Sequence, residues 1–279
     1  MFDEGGLEES ERNYHIIAEW RCSNTRSVDR RFGGDPYSAP RACKTVFEIT
    51  RSVLTAVALI FGAYTTAYGF SQNDLQTLNA TGACPGCDLE KAPLKNLNLR
   101  GANLEGANLR KADLKMIDLS EANLKGVDLR GADIENADLS SADMTAALLQ
   151  DADLEKIDMI GTNLTGVNLA GADLENANLS EARLVGTNLN NTNLRRAILN
   201  KTYISNAQLD RADMERVSLY EAVLADSSLE SVNLKRADIR GVAIDGASFR
   251  YAILTRATFR DAVIKHSEFT GARLGLVNL

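Results

Sequence analysis

The sequence has 279 residues, a formal net charge of −7 and 44% hydrophobic residues, and it contains only two histidines. This length and composition suffice for a folded domain. The scarcity of histidine, together with the lack of a Gly-x-Ser-x-Gly or phosphate-loop motif, gives no support to an enzyme. We therefore expect a non-enzymatic protein with no catalytic residue, no metal site and no cofactor.

The first 51 residues are polar and divide by charge. Residues 1–20 carry six acidic side chains against Arg12, whereas residues 21–51 carry seven Arg or Lys against three acidic residues. Neither segment shows a sustained apolar period; glycines interrupt both, and Pro36 and Pro40 interrupt the second. We predict a disordered N-terminal tail over residues 1–51.

An uncharged stretch of eighteen residues, 53–70, follows the tail. A helix of this length, at about 1.5 Å per residue, just crosses the hydrocarbon core of a bilayer. Arg41, Lys44 and Arg51 precede it, and positive flanks stay in the cytoplasm. Residues 52–71 therefore predict a transmembrane or signal-anchor helix, with the tail in the cytoplasm and the rest of the chain outside it. A cleaved signal that leaves a soluble protein in that compartment, and a buried helix, are the alternatives.

Residues 72–86 link this stretch to the rest of the chain. Asp74 as N-cap and Gly82 as terminator predict a short helix between them. We expect this helix to cover the open end of the domain that follows, because an uncovered strand edge recruits other chains.

A Cys-x-x-Cys motif, Cys84 and Cys87, comes directly after this helix. Zinc would require a second pair, and Cys22 and Cys43 are not suitably spaced. A thioredoxin-like role would require a βαβ pattern, which is missing. We favour a structural use of the two cysteines. A disulfide is permitted outside the cytoplasm, and a redox-responsive function is an alternative.

From residue 87 to residue 279 the sequence repeats every five residues. All 39 positions ending in 4 or 9 from Leu89 to Leu279 are Leu, Ile, Met or Phe, and two positions earlier 36 of 39 are small or β-branched. A five-residue step scatters the large residues around an α-helix and sends them to alternate faces of a strand. A chain that bends after every fifth residue points them all at one axis, and four bends close a square coil.

Units such as Ala102-Asn103-Leu104 and Ala132-Asp133-Ile134 resemble the A-(D/N)-L-x-x consensus of the pentapeptide-repeat family, over residues 87–279. The resemblance implies an all-β solenoid, a right-handed quadrilateral parallel β-helix of nearly ten coils and about 45 Å in length. It also implies the periplasm or thylakoid lumen as location. Some members of the family imitate DNA and protect DNA gyrase, which provides an alternative function.

The polar position of the repeat changes along the chain. It is Asp or Asn in 19 of 22 units from Asp88 to Asn193, but in only 3 of 16 units from Ile198 to Arg273. One column of the later coils is apolar, and a contiguous apolar column indicates a contact surface, although drift from the consensus explains it equally well. The candidate partner stripe comprises Val185, Tyr203, Val223, Ala225, Ala243 and Val263.

Another column changes from acidic to basic. Asp133 and Glu135 begin an acidic stack that repeats in the next two coils. The same face continues into a candidate basic patch of Arg195, Arg196, Arg216, Lys235, Arg236 and Arg256. We interpret this face mainly as a solvated surface with ion pairs, and secondly as a site for anionic lipid or an acidic protein. The change of sign makes a nucleic-acid partner or a DNA mimic less favourable.

The repeat continues to Leu279, and no polar capping repeat covers the last coil. We predict that this coil is exposed and forms a two-fold, end-to-end homodimer contact. The candidate residues are Phe269, Leu274, Leu276, Val277 and Leu279. The sequence thus predicts a membrane-tethered scaffold for protein–protein contacts, without indicating the partner.

Overall fold

The computed structural model describes residues 69–279. The predicted tail, residues 1–51, and all but the last three residues of the apolar stretch 52–71 lie outside the described residues. Within residues 69–279, the only α-helix is far too short to traverse a bilayer.

This helix, α1, spans Gln72–Thr81. Its N-cap is Ser71, whose hydroxyl accepts the backbone N–H of Asp74, so the prediction of Asp74 as N-cap was wrong by three residues. Asp74 binds the solenoid instead, because its carboxylate accepts the backbone N–H of Asp88 at 2.9 Å. The helix ends as predicted at Gly82, in the left-handed region with φ +66°. Leu78 is fully buried, so α1 packs on the first coil.

The remaining chain forms a parallel solenoid. Parallel bridges join residues twenty positions apart from Ala83 to Asn278. Between coils, for example, the backbone N–H of Leu104 donates to the carbonyl of Asn123 at 2.9 Å. Five short strands lie on one side in the order β1 to β5 with an unchanged register. They are β1 Arg183–Val185, β2 Tyr203–Ser205, β3 Val223–Ala225, β4 Ala243–Asp245 and β5 Val263–Lys265.

The core is the repeat itself. The large residue of each unit from Leu89 to Phe259 is buried, and so is nearly every small residue two positions earlier. After each large residue the chain turns: the N–H of Ala102, for example, donates to the carbonyl of Leu99 at 2.9 Å. The preceding Gly101 has φ +67°, which costs glycine nothing, yet Lys111 occupies the same turn position with φ +54°. The repeating turn therefore overrides local conformational preference in many units.

Candidate functional site

The strand face differs from the other sides in its turn. On the other sides a backbone hydrogen bond closes the turn of nearly every unit, as from Ala212 N to Leu209 O at 3.1 Å. On the strand face, Ala207 N donates instead to the hydroxyl of Ser227 at 3.1 Å, and that hydroxyl donates to Ala225 O at 2.8 Å. The hydroxyl of Ser267 makes the equivalent two bonds two coils later. The chain therefore stays extended for longer on this face and forms strands.

The structure brings the predicted partner stripe onto this face. Tyr203, Val223, Ala243 and Val263 are register partners in adjacent strands. Tyr203 is 41% exposed, Val223 37% and Val263 54%. Val185 and Ala225 lie in the column two residues further along each strand, with Ser205 between them, so they do not extend the stripe continuously. A shallow depression of about 130 Å³ lies along β3 to β5.

Polar groups border the stripe at both ends. The guanidinium of Arg183 lies over the ring of Tyr203, 5.3 Å from its centroid. At the other end Nδ1 of His266 lies 2.7 Å from a carboxylate oxygen of Asp245, and Lys265 lines the depression. An apolar centre with a charged border is typical of protein–protein interfaces.

The acidic stack lies two units further along each coil and so on the opposite side of the solenoid. Lys115 binds Asp133 at 2.7 Å, and Lys156 binds Glu155 at 2.6 Å and Glu135 at 3.6 Å. Hydrogen bonds to Asp133 and Glu155, respectively, raise the pKa of Lys115 and Lys156. The stack is therefore partly neutralised within the chain.

The predicted basic patch continues on this same side, but its six cations fall into two groups. Arg195 binds Asp213 at 3.1 Å, and this hydrogen bond raises the pKa of Arg195. Arg196 binds Glu175, and Arg216 approaches Glu215 at 3.9 Å. The other three cations make no ion pair with any residue in the described range 69–279. They are Lys235, Arg236 and Arg256.

Cys84 and Cys87 are joined in a disulfide with a Cα–Cα distance of 5.4 Å. Cys84 is buried, and its sulfur lies 3.3 Å from the carbonyl oxygen of Asp74 in α1. The disulfide thus closes the turn on which the capping helix sits. Among the described residues no group of His, Cys, Asp and Glu could hold a metal ion.

The last coil is exposed in the structure. Phe269 is half-buried and stacks on Phe249, with ring centroids 4.8 Å apart. Leu276 is 74% exposed and Leu279 89%, and Leu274 is also exposed, whereas Val277 is half-buried. The apolar residues of this coil therefore form an uncovered surface at the end of the described chain.

Comparison with known proteins agrees with this architecture. The family model described as pentapeptide repeats matches in eight copies between residues 87 and 279. The chain belongs to the pentapeptide-repeat family. No curated protein matches it significantly.

Solved structures of other pentapeptide-repeat proteins are similar to this chain. HetL of the cyanobacterium Nostoc sp. strain PCC 7120 is 31% identical, with 74% of this chain and 94% of that chain covered and a TM-score of 0.56. HetL is involved in the regulation of heterocyst differentiation. A thylakoid-lumen member from Arabidopsis thaliana is 28% identical over 37% of this chain and 66% of that one, with a TM-score of 0.17. QnrB1, a plasmid-mediated fluoroquinolone resistance protein, is 16% identical over 65% and 91%, with a TM-score of 0.39.

Proposed function

We propose that this protein is a non-enzymatic scaffold that holds a protein partner on its strand face. The observation that carries the proposal is the column of Tyr203, Val223, Ala243 and Val263, exposed in register on the four hydrogen-bonded strands β2 to β5. A solenoid filled by its own core offers no cleft for chemistry, but it presents rigid flat sides. The similarity to HetL, a protein involved in regulation, supports binding over catalysis.

The partner is a protein with apolar side chains at the centre of its contact surface. Val223, Ala243 and Val263 line the depression, and Asp245 and Lys265 border it with opposite charges. A partner that covers this stripe removes apolar area from water at about 25 cal/mol per Å². The charged border then fixes its orientation.

Site-specific photo-crosslinking tests this surface. A photoreactive amino acid is placed at Val223, and the matched control is the same substitution at Asn163, which lies in the same column three coils earlier. We expect a discrete crosslinked partner from position 223, and loss of this adduct when Val263→Glu is added. Equal crosslinking from both positions would show that the strand face is not the binding surface.

We further propose that residues 52–71 tether the protein to a membrane, with the solenoid in the periplasm or thylakoid lumen. The support is the uncharged stretch 53–70 and the cationic residues that precede it. In sealed vesicles with the cytoplasmic side outward, external protease should remove an epitope at the N-terminus and leave the solenoid intact. A solenoid that is digested in intact vesicles, or recovered in the soluble cytoplasmic fraction, excludes this arrangement.

A homodimer through the last coil is a separate proposal. Leu274, Leu276 and Leu279 are exposed there, and an uncovered coil offers unpaired backbone groups to a second copy. We expect Leu276→Lys to convert dimer to monomer in a measurement of solution mass at about 1 M salt, where contacts between surface charges are screened, and at tens of micromolar protein, a rough working range for weak dimers. A wild-type protein that is monomeric under the same conditions removes the proposal.

Two alternatives remain as distinct hypotheses. A DNA mimic that protects a topoisomerase would need an acidic face longer than the stack that ends before Arg195, and protection of gyrase by the purified protein would support it. A redox-responsive function is supported by the disulfide between Cys84 and Cys87. It predicts that partner binding changes when the disulfide is reduced.

A further inference from the structure

The side opposite the stripe has a charge distribution that the proposed function does not use. We call it the charged face: it comprises one outward-facing unit per coil, at twenty-residue intervals from residues 93–96 to residues 273–276. Its first half, up to residue 176, carries seven carboxylates and three lysines, a net charge of −4. These are Asp113, Asp133, Glu135, Asp153, Glu155, Asp173 and Glu175, with Lys95, Lys115 and Lys156.

The second half of the charged face begins at residue 193 and has a net charge of the opposite sign. It carries seven cations and two carboxylates, a net charge of +5. These are Arg195, Arg196, Arg216, Lys235, Arg236, Arg256 and Arg273, with Asp213 and Glu215. The two halves occupy nearly the same number of coils, and their charges recur at the same coil spacing of about 4.8 Å.

Ion pairs within the chain leave charge unmatched in both halves. Lys115 and Lys156 pair with carboxylates of the acidic half. Arg195 pairs with Asp213 inside the basic half, and Arg196 pairs with Glu175 across the boundary. Over residues 69–279, Asp113, Asp153 and Asp173 have no ion pair in the acidic half. Arg236, Arg256 and Arg273 have none in the basic half. The unpaired charges therefore lie mainly away from the boundary.

We propose that the charged face binds the charged face of a second copy, side by side and antiparallel. A two-fold axis that crosses the face between the coils of Glu175 and Arg195 reverses the order of the coils in the second copy. The coil of Glu175 then lies opposite that of Arg195, and the coil of Glu135 lies opposite that of Arg236. Each contact occurs twice, as in any isologous interface, and the equal coil spacing of the two copies keeps the charges in step.

Self-association matches this pattern better than other occupants do. A nucleic acid, an anionic membrane or the chain's own acidic residues 1–20 would match only the basic half, and would be repelled by the acidic half or leave it unmatched. A second copy neutralises both halves at once. This interface also leaves the strand face outward in both copies, so the inference adds to the proposed scaffold without depending on it.

Ionic strength provides the first test. The full-length chain, in a non-ionic detergent and with Leu279→Lys to remove the end-to-end contact, is measured by sedimentation at about 0.01 M and about 1 M salt. The screening length falls from about 30 Å to about 3 Å over this range. We expect the dissociation constant of the dimer to rise at least about tenfold with salt. A monomer at low salt, or a dimer indifferent to salt, overturns the proposal.

Charge exchange provides the second test. Arg236→Glu with Arg256→Glu reduces the basic half to a net +1, and Glu135→Lys with Glu155→Lys reduces the acidic half to a net charge of zero. Each variant alone should associate weakly. Their mixture should associate more tightly than either, because the intact acidic half of one meets the intact basic half of the other, yet less tightly than the wild type, which has two such contacts.

The matched control removes two cations elsewhere. Lys201 and Arg260 are exposed at the corner between the strand face and the side next to the charged face. They make no ion pair among the described residues. Lys201→Glu with Arg260→Glu changes the total charge by the same amount and should leave the dissociation constant unchanged. Glutamate is compatible with the turn at positions 236 and 256, because Glu121 and Glu221 already adopt φ +60° and +56° at equivalent positions. A mixture that associates no better than its components would point instead to a basic patch for a foreign polyanion.

Discussion

The two halves of the solenoid have the same core and different surfaces. Before Arg183 the polar residue of most units accepts the backbone N–H two positions later, as Asp153 does from Glu155 at 3.2 Å. On the strand face of the later coils an apolar residue such as Val223 occupies this place, and the backbone is satisfied by serine hydroxyls or by neighbouring strands. The buried residues and the backbone hydrogen bonds between coils continue unchanged from one half to the other. The fold therefore depends on the two inward residues of each unit, and the outward ones are available for binding.

The largest expected effect tests the shared core. Leu154 and Leu234 are fully buried at corresponding positions of the two halves. Leu154→Asp and Leu234→Asp should each reduce the free energy of unfolding by several kcal/mol, since neither carboxylate would find a partner inside the solenoid. Thermal unfolding measures this, with Glu155→Lys as a surface control expected within about 0.5 kcal/mol of wild type. Equal melting temperatures for Leu154→Asp and the control would contradict the assigned register.

Reduction of the disulfide should destabilise the first coils of the solenoid and leave its other end unchanged. Reduction of Cys84 and Cys87 releases a very short loop, for which the chain-entropy relation gives at most about 2 kcal/mol. Because each coil contacts only its neighbours, the loss should be local. Hydrogen exchange should accelerate at Leu89 on reduction and stay unchanged at Leu254. An equal acceleration at both amides would mean that the solenoid unfolds as one cooperative unit.

In the column that becomes the strand face, hydrogen bonds of the polar side chains should contribute a smaller amount, and only in the coils before Arg183. Oδ1 of Asn163 accepts the N–H of Thr165 at 3.2 Å, and its Nδ2 donates to Asp143 at 3.2 Å in the preceding coil. Asn163→Ala should cost about 1 kcal/mol, whereas Val223→Asn in the same column should be neutral within about 0.5 kcal/mol. Chemical denaturation compares the two variants, and a larger cost at position 223 would reverse this interpretation.

The smallest effect should be equal in both halves. Hydrogen bonds from Arg130 lower the pKa of Asp128, and those from Arg240 lower the pKa of Asp238. Since the folded pKa lies below the unfolded one, this stabilisation is complete above about pH 4 and is lost as the pH falls through the folded pKa. Asp128→Asn and Asp238→Asn should each reduce, by less than about 1 kcal/mol, the free energy of unfolding that is lost as the pH falls from neutral to acid. Unequal slopes would show that the halves also differ in electrostatics.

The sequence predicts the solenoid well because one rule recurs in every unit. Each Leu that the period assigns to the interior from Leu89 to Leu254 is buried, and the family match covers the same residues. The N-cap was less predictable: Ser71 and Asp74 are both good capping residues, and only the contact of Asp74 with Asp88 decides between them.

The surface was only partly predictable. The column of Tyr203 and Val223 follows from the twenty-residue period, because that period fixes which residues lie above one another. The extended backbone there does not follow from the period. It depends on hydroxyls such as that of Ser227 in an interior position, which looks in the sequence like any other small residue. The division of the basic patch likewise depends on where acidic partners such as Glu175 and Glu215 reach across coils.

The square coil also constrains how such a chain can evolve. Deleting one five-residue unit would leave every inward residue in place, yet it would rotate all later sides by a quarter turn. The strands after the deletion would then no longer continue those before it, and the column that contains Val223 would be cut in two. Only length changes of twenty residues preserve both interior and surface. In a protein of this kind, the gain or loss of a single unit can therefore preserve the fold, whereas only the gain or loss of four units also preserves the binding surface.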